Sequence, residues 1–144
     1  MLIKIIDGYI IKELAKIFFI TVGSLTTVLY LDKFLFMAEM IVNRGVSVVE
    51  MLRIMLYISP SFLALTVPIS VLVASVATFN QFSASNEWTA MKTCHLSFLQ
   101  TMRPVLIFSV FTYLLAGSIM IYALPWGNLA YKQLIYDIIK NKAN

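Results

Sequence analysis

Three long apolar stretches divide the chain, and the polar residues gather between them and at the ends. The first stretch runs from Ile17 to about Met37, the second from Ile54 to Phe82 and the third from Pro104 to Tyr131; the last two contain no charged residue. A helix needs roughly 20 mostly apolar residues to cross a bilayer. Each stretch therefore predicts a spanning helix. Strands of a membrane barrel would instead alternate apolar and polar residues over short segments, and no such alternation is visible. The expected fold is an all-α membrane protein with three transmembrane helices, at 17–37, 48–82 and 98–124.

The polar segments refine this picture. Residues 1–16 read as an interfacial lead-in helix: Lys4, Lys12 and Lys16 recur at multiples of four, and Ile6, Ile10 and Ile17 cover the opposite face. Such a helix lies in the headgroup plane with its lysines outward; the alternative is that it simply begins the first spanning helix. Asp32 and Lys33 fall near the end of that span. Sequence neighbours on a helix point about 100° apart, so no mutual ion pair is expected. Lys33 either faces a cavity or partner or extends to headgroups.

Asn43-Arg44-Gly45 marks a turn, and Ser47 to Glu50 fits a capping box that opens the second helix. Pro60 and Pro68 inside that helix remove hydrogen bonds and predict kinks, or a hinge. Thr66 and Ser70 are placed to satisfy the freed backbone groups. Ser85 is expected to cap a short helix at 85–94, with Glu87 in its first turn, where a carboxylate suits the helix dipole. Ser97 to Gln100 is a second capping box, and Pro104 should bend the helix that follows. Leu124-Pro125-Trp126-Gly127 is expected to end the third span, with Asn128 capping a last helical segment over 128–144.

Composition adds two constraints. Only 12% of the residues are charged, against about 25% in a soluble domain. The net charge of +4 comes without a basic patch interleaved with aromatics, so nucleic acid is not an expected partner. Basic residues divide almost evenly between the two sides of the membrane, and the positive-inside rule barely decides. The cluster of three lysines at the start favours a cytoplasmic N-terminus and a cytoplasmic 83–103 segment.

No enzyme chemistry is expected, and no catalytic, cofactor-binding or metal residue is assigned. Cys94 and His95 are adjacent, but a zinc site needs three or four ligands. No phosphate-binding glycine loop is present. The short helix between the second and third spans, with an acid at its start and Trp88, Ala90 and Met91 on its face, would suit docking to a soluble partner; otherwise it is an ordinary surface helix.

The residues now resemble a known family. Ile5-Ile6-Asp7-Gly8-Tyr9-Ile10 with Glu13-Leu14 is similar to the opening of the lipopolysaccharide export permeases LptF and LptG. Val42 to Ser47 and Pro60 to Leu63 resemble their first loop and second helix. Ser83 to Met91 resembles their coupling helix, and Arg103 to Leu106 with Leu124-Pro125-Trp126 resembles the bounds of their third helix. The Asn-Arg-Gly-Val-Ser and Leu-Pro-Trp pieces lean toward the F member.

The resemblance implies an ATP-binding-cassette transporter permease of the bacterial inner membrane. It would extract lipopolysaccharide and pass it toward the outer membrane. Its partners would be two ATPase subunits, which hydrolyse the ATP, a second permease subunit and a periplasmic bridge protein. It assigns ATPase coupling to Ser85, Glu87, Ala90 and Met91, and lipid contact to Lys33. Family members also carry a periplasmic β-jellyroll and three further helices, which this sequence lacks, so a split permease, a truncated remnant or an accessory protein without its own transport is the alternative expectation. A small channel is a further one. The family usually has glycine where this chain has His95, and glycine takes a positive φ more readily than histidine.

Overall fold

A computed structural model describes residues 2–143; Met1 and Asn144, the ends of the expected lead-in and of the last segment, lie outside the described residues, as do the side chains of Leu2, Ile3 and Lys142. Five α-helices follow one another: α1 (Leu2–Arg44), α2 (Val48–Ala84), α3 (Glu87–Thr93), α4 (Phe98–Ser118) and α5 (Leu124–Ala143). A π-helical turn, Ile119–Ala123, joins the last two. No strand occurs among the described residues. Three helical segments are long and apolar enough to cross a membrane: Lys4–Arg44, Val48–Ala84 and Phe98–Asn141.

Both capping boxes form. At the start of α2 the Ser47 amide donates to the Glu50 carboxylate (3.0 Å), and the Ser47 hydroxyl accepts from the Val49 amide (3.4 Å). At the start of α4 the Ser97 amide donates to the Gln100 side-chain oxygen (3.1 Å), and the Gln100 amide donates back to the Ser97 hydroxyl (3.3 Å). Each box satisfies backbone donors that the first helical turn leaves open.

Several expectations are corrected. The lead-in is not a separate element, because α1 runs unbroken through residue 17. Nothing between Lys12 and Phe19 breaks a helix: the stretch has neither proline nor glycine. At 1.5 Å per residue the 43 residues of α1 extend roughly 64 Å, about twice the hydrocarbon thickness. Asp32 and Lys33 do form an ion pair, at 3.5 Å, because the lysine stem is flexible enough to swing back to its neighbour. Pro125 and Gly127 do not break the helical path, and Asn128 is not a cap; all three lie inside α5. The π-turn explains the proline. A widened turn directly before Pro125 relieves the clash between its ring and the preceding carbonyls, and the helical path continues.

The chain folds into two compact units. One comprises the chain up to Gly23 together with Val67–Leu115. Its core is Ile10, Leu14, Phe82 and Val105, with Phe79 and Phe108 packed against it. Phe18 meets Phe108 edge-on at 5.5 Å between ring centroids. Ser70, Ala74 and Thr78 recur every four residues on α2 and are fully buried. Small residues at that spacing let helices pack closely where lipid supplies no hydrophobic drive. The Ser70 hydroxyl, expected to serve a proline-freed carbonyl, has no partner, and neither has that of Thr78.

The other unit comprises Ser24–Thr66 and the chain from Ala116 onward. Met37, Val46, Met51, Ile54 and Ile138 form its core. Here a polar knot sits just before Pro60. The Tyr30 and Ser59 hydroxyls bond each other, and both lie within reach of the Met55 carbonyl oxygen (3.4 and 2.9 Å), so one hydroxyl donates to the carbonyl and the other to its hydroxyl partner. Gly127 of α5 lies against α2 so closely that a Cβ there would stand 2.5 Å from the Tyr57 carbonyl oxygen. Its glycine therefore serves close approach rather than a turn.

Candidate functional site

The first unit carries the residues with the most pointed chemistry, around α3. Helix α2 stops at Ala84, and the chain turns through Asn86, which adopts a left-handed backbone (φ 58°) and stands at the N-cap position of α3. Asparagine tolerates this conformation better than most residues. Ser85 is not the cap that its sequence position suggests. Its hydroxyl donates back to the Gln81 carbonyl of α2 (2.9 Å), so it closes the helix behind it and leaves α3 without a side-chain cap.

The other end of α3 is closed by a Schellman motif. The Leu96 amide donates to the Met91 carbonyl (3.3 Å), and the His95 amide donates to the Lys92 carbonyl (3.0 Å). His95 supplies the left-handed residue that the motif needs, at φ 58°. Histidine at this place thus keeps the turn that glycine would make.

Glu87, the first residue of α3, accepts a hydrogen bond from the Tyr9 hydroxyl of α1 at 3.1 Å. Tyr9 stacks on Phe82, the fully buried core residue near the end of α2, with centroids 5.9 Å apart. One turn along α1, Glu13 accepts from the Gln81 amide nitrogen (3.2 Å) and faces the Lys16 ammonium (3.6 Å). Two acids, Glu13 and Glu87, are thereby held by partners on different helices. Ala90 is exposed and Met91 half-buried, while their carbonyls accept from Cys94 and Leu96.

An aromatic seam backs α3. Trp88 meets Phe79 of α2 edge-on at 6.3 Å and Phe98 of α4 edge-on at 5.9 Å. The Lys92 ammonium stands 5.6 Å from the centre of the Trp88 ring, in cation–π range. Beside this seam lies a groove of about 460 Å³, lined by Phe79, Trp88, Phe98, Met102 and Val105, with Ser75, Val76, Asn80 and Ser83.

Ser85, Glu87, Ala90 and Met91 thus lie together on or beside α3. Lys33 belongs to the other unit, where it is half-buried and paired with Asp32. Sequence reasoning missed Tyr9, Glu13 and Gln81. The only signal was the spacing of Tyr9 and Glu13 by one helical turn, which does not name a partner some 70 residues away. Among the described residues, no three His, Cys, Asp or Glu side chains lie close enough together to hold a metal ion.

No curated protein and no solved structure matches this chain. Residues 8–144 match the family model described as lipopolysaccharide export system permease LptF/LptG, and this multi-pass membrane chain belongs to that family.

Proposed function

We propose that the chain is the first part of an inner-membrane permease that moves lipopolysaccharide toward the outer membrane, driven by a separate ATPase that grips α3. The N-terminus and the turn carrying α3 then face the cytoplasm. The observation that carries this reading is the setting of Glu87: a carboxylate at the start of a short helix between two apolar ones, held by the Tyr9 hydroxyl of α1. Force applied to α3 would pass directly to α1, as well as through the short connections to α2 and α4.

Helix α1 is far longer than the hydrocarbon layer, so the turns carrying Lys4, Lys12 and Lys16 extend into or past the headgroups. Lys33, near the opposite edge, meets a phosphate of the exported lipid. Asp32 is well exposed, so water screens its pair with Lys33 and leaves it weak enough for a phosphate to displace. A second permease subunit and a periplasmic bridge protein complete the path.

The test is Glu87→Ala. Loss of co-purification with the ATPase, together with accumulation of lipopolysaccharide in the inner membrane, is the expected outcome. Unchanged association and unchanged export would overturn the coupling assignment.

A further inference from the structure

We infer that the groove beside Trp88 holds an acyl chain of an anionic bilayer phospholipid, with the Lys92 ammonium at the headgroup. The volume of about 460 Å³ lies within the range of ligand sites, roughly 300–1,000 Å³. Its walls are Phe79 of α2, Trp88 of α3, and Phe98, Met102 and Val105 of α4. The polar residues Asn80 and Ser83 line it together with these.

The surroundings select the occupant. Leu72 and Val76 on α2 and Leu106 on α4 are exposed apolar residues of helices long enough to span the membrane. The medium against them is hydrocarbon, and an acyl chain reaches the groove without crossing water. The charge selects the headgroup. Lys92 is exposed, stands over the Trp88 ring and pairs with no carboxylate among the described residues. The nearest acid in sequence, Glu87, is engaged by Tyr9. Tryptophan beside lysine, a few residues past the end of the apolar α2, is the arrangement that favours the headgroup level. This lipid is part of the permease's own seat in the bilayer. The inference needs membrane insertion but not the export reading.

The chain has two tryptophans, so Trp126→Phe leaves Trp88 as the sole tryptophan, excited at wavelengths where tyrosine does not absorb. The protein is reconstituted in phosphatidylcholine vesicles carrying increasing amounts of a chain-brominated quencher lipid. Brominated phosphatidylglycerol should quench Trp88 at a roughly fivefold lower fraction than brominated phosphatidylcholine, the preference expected of one lysine near an anionic headgroup. Lys92→Gln should erase that difference and Lys92→Arg should keep it. Ser75→Leu, which fills the groove, should reduce quenching by both lipids. Insertion is checked separately with Trp88→Phe, in which Trp126 reports. Equal quenching by the two headgroups overturns the inference. So does an unquenched Trp88 in the Trp126→Phe protein when Trp126 is quenched in the Trp88→Phe protein reconstituted in the same way, because the groove is then covered by protein.

Discussion

The Tyr9 hydroxyl and the Glu87 carboxylate meet at 3.1 Å, although 78 positions separate them in the chain. The bond fixes the first residue of α3 to α1 rather than only to the helices that flank it in sequence. Tyr9 is nearly half exposed, so water screens the bond and its contribution to stability is small. Its importance lies in geometry: it sets where the acid points.

Tyr9→Phe keeps the stack on Phe82 and removes only the hydroxyl. Thermal unfolding in detergent should therefore scarcely shift. Association with the ATPase should weaken several-fold, because Glu87 is no longer held. Quantitative pull-down against the purified ATPase reads this. Equal association of Tyr9→Phe and parent would show that Tyr9 does not position the acid.

Gly127→Ala gives opposite signs under two accounts. Helix propensity alone predicts a gain of about 0.8–1 kcal/mol for alanine inside a helix. The packing predicts a loss, because the new methyl would sit 2.5 Å from the Tyr57 carbonyl oxygen and 3.3 Å from Pro60 Cγ. Backbone oxygen yields little, and overpacking costs about 1–3 kcal/mol. A lower unfolding temperature is expected, and a higher one would remove the close-approach role of Gly127.

His95→Gly should stabilise the turn after α3. A non-glycine residue in the left-handed region carries about 1–2 kcal/mol of strain, and His95 stands there at φ 58°. The greater freedom of glycine in the unfolded chain takes back part of this, leaving a net gain of under about 1 kcal/mol. His95→Val, branched at Cβ, should cost more than histidine does. Hydrogen exchange of the Leu96 amide, which closes the Schellman motif, reads both changes locally.

The parts of this fold that are legible in the sequence are those written in local spacing. The three apolar stretches, and the serine placed three residues before Glu50 and Gln100, depend on neighbours within one or two turns. What is not legible depends on contacts between distant residues or on small adjustments of the backbone. Pro125 and Gly127 read as a helix end, yet a π-turn absorbs the proline and the glycine admits the Tyr57 carbonyl. Ser85 reads as a cap, yet Asn86 takes the left-handed turn and leaves the serine to bond backwards. Around α3, Glu87 stands out by its place in a short polar segment. Tyr9, on another helix, carries no mark that it is the partner.

Orientation can be tested with a probe the chain already carries. Cys94 is the only cysteine in the sequence; it is exposed and sits at the C-cap of α3. If α3 faces the cytoplasm, a membrane-impermeant maleimide that passes only the outer membrane should leave Cys94 unlabelled in intact cells. It should label Cys94 fully once the inner membrane is permeabilised. Asn43→Cys in a Cys94→Ser background supplies the opposite arm: it lies one long apolar helix away from the start, at the end of α1, and should label in intact cells. Labelling of Cys94 from outside would put α3 in the periplasm, beyond the reach of any ATPase, and the proposed coupling through Glu87 would fail with it.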